Sequence, residues 1–147
     1  MNKLSLATAA ALLAASAMQP ALARDDKHLL PIQDVLDSAD AQGKLGDDVK
    51  LHFSTQPQPA IAKTLGGDSS NAKTNAANKS DEEACRWAML TALMKLQAKA
   101  RTLGADAVVD IKSNYRNVPF ESATEYECHA GAIMAGVSLR ATYAKLK

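Results

Sequence analysis

The chain has 147 residues, with 17 basic against 16 acidic side chains and only 4% aromatic residues. That balance excludes the basic excess of a nucleic-acid footprint and gives no reason to expect an anionic membrane surface as partner. The length suits one domain with one core once a leader is set aside.

Residues 1–23, MNKLSLATAAALLAASAMQPALA, open with a basic Lys3. An uncharged apolar run follows from Leu4 to Met18, and Ala21-Leu22-Ala23 closes the stretch. These are the three parts of a secretory signal peptide with an A-x-A ending. The expectation is a periplasmic protein cleaved between Ala23 and Arg24. No cysteine stands directly after that point, so neither a lipid attachment site nor a membrane anchor is expected. Lys3 is the only charge removed, and the remaining 124 residues carry 16 basic and 16 acidic side chains.

Residues 24–48 form an N-terminal segment with one short helix. Pro31 suits a first helical position, Ile32, Val35, Leu36 and Ala39 recur at helical spacing, and Gly43 and Gly46 end the pattern. Val49–Phe53, VKLHF, alternates with a period of two and predicts a strand closed by Pro57 and Pro59. Residues 66–79, GGDSSNAKTNAANK, are small, polar and without periodicity, which predicts a long exposed loop.

The strongest element follows. Ser80 with Glu83 makes a capping box, and Asp81 and Glu82 add negative charge at the positive end of a helix dipole. The run continues without Gly or Pro to Leu103, and Gly104 stands where a left-handed cap belongs. That is a helix of about six turns. Cys85, Met89, Ala92, Leu93, Leu96, Ala100 and Leu103 share one side, while Trp87, Leu90, Met94 and Ala98 fall nearly opposite. The first side should meet a sheet. The second should meet the N-terminal segment or another subunit.

Beyond Gly104, ADAVVDIKSNY reads as a strand, residues 117–123 as a turn around Pro119, and TEYECHAGAIMAGVSLRATY as one long strand bent at Gly131 or Gly136. The order strand, helix, strand, strand over residues 49–147 predicts an α+β domain. One long helix packs on a small, largely antiparallel sheet.

Two cysteines in an exported chain point to one disulfide. Cys85 lies on the core side of the helix, and Cys128 is in phase with Tyr126, Ala130 and Ala132 on the last strand. A Cys85–Cys128 bond would staple the helix start to that strand and stabilise the fold by roughly 4 kcal/mol in the chain-entropy model. The competing reading is a reactive thiol, because Cys85 sits near a helix N-terminus beside Arg86. Asp81, Glu82 and Glu83 oppose that activation, and there is no C-x-x-C pair. Adjacent Cys128 and His129 point to opposite strand faces, and His28 and His52 have no ligand spacing, so neither a metal site nor a cofactor is expected. The stretch GDSSNAKT, Gly67–Thr74, nearly fits a phosphate-binding loop, but Ala72 replaces its second glycine and no helix opens at its end.

The stretch from Ser80 onward, with KARTLGADAVVDIKSNY and AGAIMAGVSL, resembles the YbjQ-like family of small bacterial domains. The same region is similar to the globular domain of RcsF-like envelope-stress lipoproteins, in which a cysteine near the helix start is tied to one in the last strand. Cys85 and Cys128 fit those places, while Met134 stands at a position of the second disulfide and the anchoring cysteine has no counterpart. The whole chain resembles exported proteobacterial proteins commonly labelled "excinuclease ATPase subunit", a label its motifs do not support. The resemblance implies a fold, a compartment and, for YbjQ-like members, ring assembly.

The functional expectation is a non-catalytic envelope domain that binds another envelope protein or itself through Trp87, Leu90 and Met94. The alternatives are a small-ligand or metal carrier using His129 with Glu125 and Glu127, and a thiol redox or stress sensor. Mass spectrometry of the exported product should find a chain beginning at Arg24 with no free thiol. Two alkylatable sulfhydryls, or retained leader residues, would overturn both expectations.

Overall fold

The computed structural model describes residues 23–147, so the leader expected over residues 1–23 lies outside the described residues but for Ala23. In chain order the elements are β1 (Asp26–Pro31), α1 (Ile32–Leu36), α2 (Ala39–Lys44), β2 (Lys50–Phe53), β3 (Ile61–Asn75), α3 (Asp81–Leu103), β4 (Ala107–Ser113), a 3-10 turn (Tyr115–Asn117), β5 (Glu125–Ala130) and β6 (Met134–Leu146). The architecture is α+β, with α3 laid across one face of a curled, six-stranded sheet. All pairings are antiparallel except β2 with β4.

The helix boundaries follow from local chemistry. Ser80 Oγ accepts the Glu83 amide at 3.1 Å, and three acidic residues occupy the first turn. Gly104 takes φ 69°, where a side chain would be strained, and its amide reaches the carbonyls of Ala100 and Arg101. Ala84, Ala88 and Ala92 recur at i, i+4 on the buried side. Their small side chains let the helix axis approach the sheet closely, while Met89, Leu93 and Leu96 fill the space beside them.

β6 organises the sheet. β3 pairs along its whole length, from Ile61↔Leu146 to Asn75↔Met134. Its other edge is divided: β4 takes the C-terminal half, through Ala107↔Ala144 to Ser113↔Leu139, and β5 takes the N-terminal end at His129↔Gly136 and Ala130↔Ala135. Ala135, Val137, Leu139, Ala141 and Tyr143 point toward α3, and the alternate residues face outward.

Four expectations are corrected. Residues 66–79 are not a loop: Gly66–Asn75 belong to β3, and only residues 76–79 turn into α3. The inward positions there are Ser70 and Ala72, both buried, because the close helix leaves room for nothing larger. An apolar alternation therefore never shows in the sequence. Ser70 Oγ, instead of packing as hydrocarbon, donates to the Ala92 carbonyl at 2.9 Å. The same ladder takes in Gly67–Thr74, which removes the strand-to-helix geometry that a phosphate loop requires.

Residues 24–48 are not an appended segment, since Asp26–Pro31 pairs with β5 as an edge strand, from Asp26↔Ala130 to Pro31↔Glu125. The short helix is two helices. Ser38 starts the second by accepting the Ala41 amide at 3.2 Å, and Gly43 lies inside it. The final stretch is a hairpin instead of one bent strand. It turns at residues 131–133, where a Cβ on Gly131 would stand 2.8 Å from the Arg24 carbonyl oxygen.

Cys85 and Cys128 form a disulfide with their Cα atoms 5.9 Å apart, joining the first turn of α3 to β5 across 43 residues of chain. Both are fully buried, so no external reductant reaches the sulfurs without opening the fold, which speaks against redox exchange. The double variant Cys85→Ser/Cys128→Ser should fold but melt roughly 10–20 °C lower, the equivalent of about 4 kcal/mol in a domain this size. A calorimetric shift below about 3 °C would show that the bond carries little of the stability.

Candidate functional site

The helix face expected to meet the N-terminal segment or another subunit is largely closed by the N-terminal segment. Leu90 is 1% exposed and belongs to the core. α1 packs on α3 through its buried Ile32 and Val35, and the Lys44 ammonium of α2 lies 5.4 Å from the centre of the half-buried Trp87 ring. Met94, 36% exposed, and the small Ala98 are what remain of that face at the surface.

Part of the closure comes from Gln97, a polar residue of α3. It is buried, and its Nε2 donates to the carbonyls of Gly46 (2.9 Å) and Val49 (2.8 Å) while its Oε1 accepts the Gly46 amide at 3.1 Å. One side chain thus satisfies the backbone where the N-terminal segment crosses the helix. Arg101 grips Asp48 nearby through two bonds of 2.7 and 2.8 Å, and that hydrogen bonding holds the Asp48 carboxyl down to about 2.

Strand β1 carries chemistry on both faces. On the inner face, Asp26 and His28 meet Asp81 of the first turn of α3, with ligand-capable atoms within 4.8 Å of one another. His28 is the register partner of Cys128, so this cluster sits beside the disulfide. A divalent cation there would have to displace Arg24, whose guanidinium already bridges Asp81 (2.5 Å) and Asp26 (3.3 Å). The positive end of α3 opposes a second cation as well. His28 Nε2 lies 3.1 Å from Asp81 Oδ2 but off the line required for a hydrogen bond. The arrangement straps the chain start to the helix start.

On the outer face the structure gathers a larger constellation around His129. Its Nε2 is 2.8 Å from Glu127 Oε1, as strand alternation implies, whereas exposed Glu125 is absent from its hydrogen-bond partners. The second carboxylate is Asp25, with Oδ1 3.1 Å from Nδ1. A ring bearing both N–H groups satisfies both acids, and a neutral ring satisfies only one. Tyr115 stacks on the imidazole at 3.5 Å and 12° and donates from Oη to Asp25 Oδ2 at 3.0 Å. Arg116 Nη2 also reaches that oxygen, at 3.1 Å. Left-handed φ values at Arg116 (50°) and Asn117 (62°) turn this segment back over β5. Lys27 completes the set at 2.8 Å from Glu127 Oε2. Asp25 lies in no recognisable motif, and no signal in the sequence pairs it with residues 115 and 129.

Beside this constellation a hollow of about 650 Å³ opens over Gly136, bordered by Lys73, the His129–Tyr115 stack and the hairpin turn. Farther along the outer face lies a polar hollow of about 740 Å³, where Lys112 is neutralised by Asp110 and Glu121.

Burial pushes the Asp25 and Glu127 carboxyls up. The hydrogen bonds from Tyr115 and His129 to Asp25, and from Lys27 and His129 to Glu127, outweigh it and hold both below the ordinary range. Carboxyls lowered by folding stabilise the native state above their unfolded value, near 4, and that contribution is lost as pH falls through the lowered value. Melting temperature should therefore hold from pH 7 to about 5 and fall below about pH 4. Glu127→Gln should cost about 1–2 kcal/mol at pH 7 and flatten the acid limb. An acid limb identical to that of wild type would remove Glu127 from this linkage.

No protein-family model matches the chain, and no curated protein matches it. Among solved structures, it is similar to a protein of unknown function from Pediococcus pentosaceus that belongs to the DUF74 family. The identity is 14% and the TM-score 0.45, over 67% of this chain and 98% of the other.

Proposed function

We propose that the mature chain is an exported, disulfide-held binding domain that acts by contact with another protein of the envelope, not by catalysis. The leader-like residues 1–23 support export, and the bond between Cys85 and Cys128 suits an oxidising compartment. One observation carries the choice of surface. Ile133 and Met134, 67% and 46% exposed, stand side by side at the β5–β6 turn. The turn is held in place: Gly131 donates to Met134 at 2.8 Å and Ala76 donates to Ile133 at 2.7 Å. A fixed, exposed apolar pair is the kind of feature that a partner covers. With Leu90 in the core and Trp87 under Lys44, the contact surface proposed here is the hairpin end, not the helix face.

Capture of partners from envelope extract should be lost with Ile133→Asp or Met134→Asp and kept with Met94→Glu on the helix face. Sedimentation of the purified protein separates a foreign partner from a second copy. Equal capture by the aspartate variants, or loss confined to Met94→Glu, would overturn the assignment.

A further inference from the structure

Across the outer face of the sheet, Lys73 on β3 and His129 on β5 are both register partners of Gly136 on β6. The three stand in one row with no side chain in the middle. A Cβ built on Gly136 meets only the Ala72 carbonyl oxygen and Lys73 Cγ, each at 3.6 Å, so the gap is not forced by crowding. The hollow of about 650 Å³ over this row falls within the size range of small-molecule sites.

Its charge is one-sided. Lys73 forms no ion pair among the described residues. Arg116 spends one Nη on Asp25 and is 74% exposed, which leaves further N–H donors free at the opposite rim. Asp25 is the acid bordering the hollow, and both its oxygens are taken by Tyr115, His129 and Arg116. Arg24 also borders the hollow but is paired with Asp26 and Asp81. Between Lys73 and Arg116 the lining is apolar, with Gly131, Gly136 and Met134, and the flat His129–Tyr115 stack forms one wall.

We propose that this hollow binds a small organic carboxylate of about eight to ten carbons, most of them an apolar chain. The carboxylate sits on Lys73 with Arg116 as second donor, and the chain lies over Gly136 against Met134. The concavity takes a single molecule, whereas a bilayer would meet only the protruding Ile133. The inference rests on the reading of the chain as a binding domain and names a ligand for the same end of the molecule.

Calorimetric titration of the mature protein with octanoate should give one site with Kd of roughly 10–500 µM. Octanol, which lacks the charge, should bind at least about tenfold more weakly, as should octanoate to Lys73→Ala. Gly136→Val fills the gap with a residue that strands favour, and should abolish binding while leaving circular dichroism unchanged and melting equal to or above that of wild type. Should that variant fail to fold, amide shifts in wild type on adding octanoate must centre on Gly136 and His129. No heat from octanoate, equal affinity for octanol, wild-type binding by folded Gly136→Val, shifts centred elsewhere, or flotation with anionic vesicles in place of octanoate binding would each overturn the proposal. Partner capture without octanoate binding sinks this inference alone. Octanoate binding without any captured partner sinks the protein-docking reading alone.

Discussion

β5 is the strand least able to hold its own place, and the disulfide holds it. It meets β6 at two register positions only, while its six-residue ladder runs to β1, which is itself an edge. Two short strands joined chiefly to each other are marginal in water. The bond from Cys128 to Cys85 fixes this pair to the most securely capped element of the molecule, the first turn of α3. Everything on the outer face of β5 inherits that placement. Glu127 and His129 point outward because Cys128 between them must point inward.

The start of the described chain uses the same alternation. Arg24 reaches Asp81 on the helix side of the sheet, and its neighbour Asp25 reaches Tyr115, Arg116 and His129 on the other side. Consecutive residues thereby grip both faces of one edge. Each contact is partly exposed and worth little alone. Their value is positional: β1 cannot slide by one residue along β5 without exchanging these partners between faces. Farther on, buried Gln97 does for residues 46–49 what a strand partner would do, and it needs no ladder.

The elements legible in the sequence are those whose signals are local. Ser80, Glu83 and Gly104 state the limits of α3 without reference to the rest of the fold, a period of two marks β2, and a run of β-branched residues marks β4. The cysteine pairing was readable because helix phase and strand phase agreed on which sides face each other. β3 was not, because its inward residues are small for a reason that lies in α3: a helix with Ala84, Ala88 and Ala92 against the sheet leaves space for Ser70 and Ala72 only. β1 was hidden in the same way. Asp26 and His28 face inward, where Asp26 pairs with Arg24 and His28 lies beside Asp81, so polarity at those positions masks a strand. The Asp25–Tyr115–His129 contact spans 104 residues of sequence, and nothing local announces it.

Where a sequence breaks a local rule without a structural need, the break itself is informative. Gly104 and Gly131 have reasons in backbone geometry, a left-handed cap and a close approach to Arg24. Gly136 has neither: its φ is not positive and a side chain would fit. Glycine in mid-strand gives up packing and costs backbone entropy, so a sheet selected for stability alone would carry a β-branched residue there. Arg116 breaks a second rule beside it, holding a left-handed conformation that turns its guanidinium to the rim of the same hollow. Two departures that each weaken the fold converge on one space bordered by Lys73. Stability does not account for that convergence, and recognition of a ligand does.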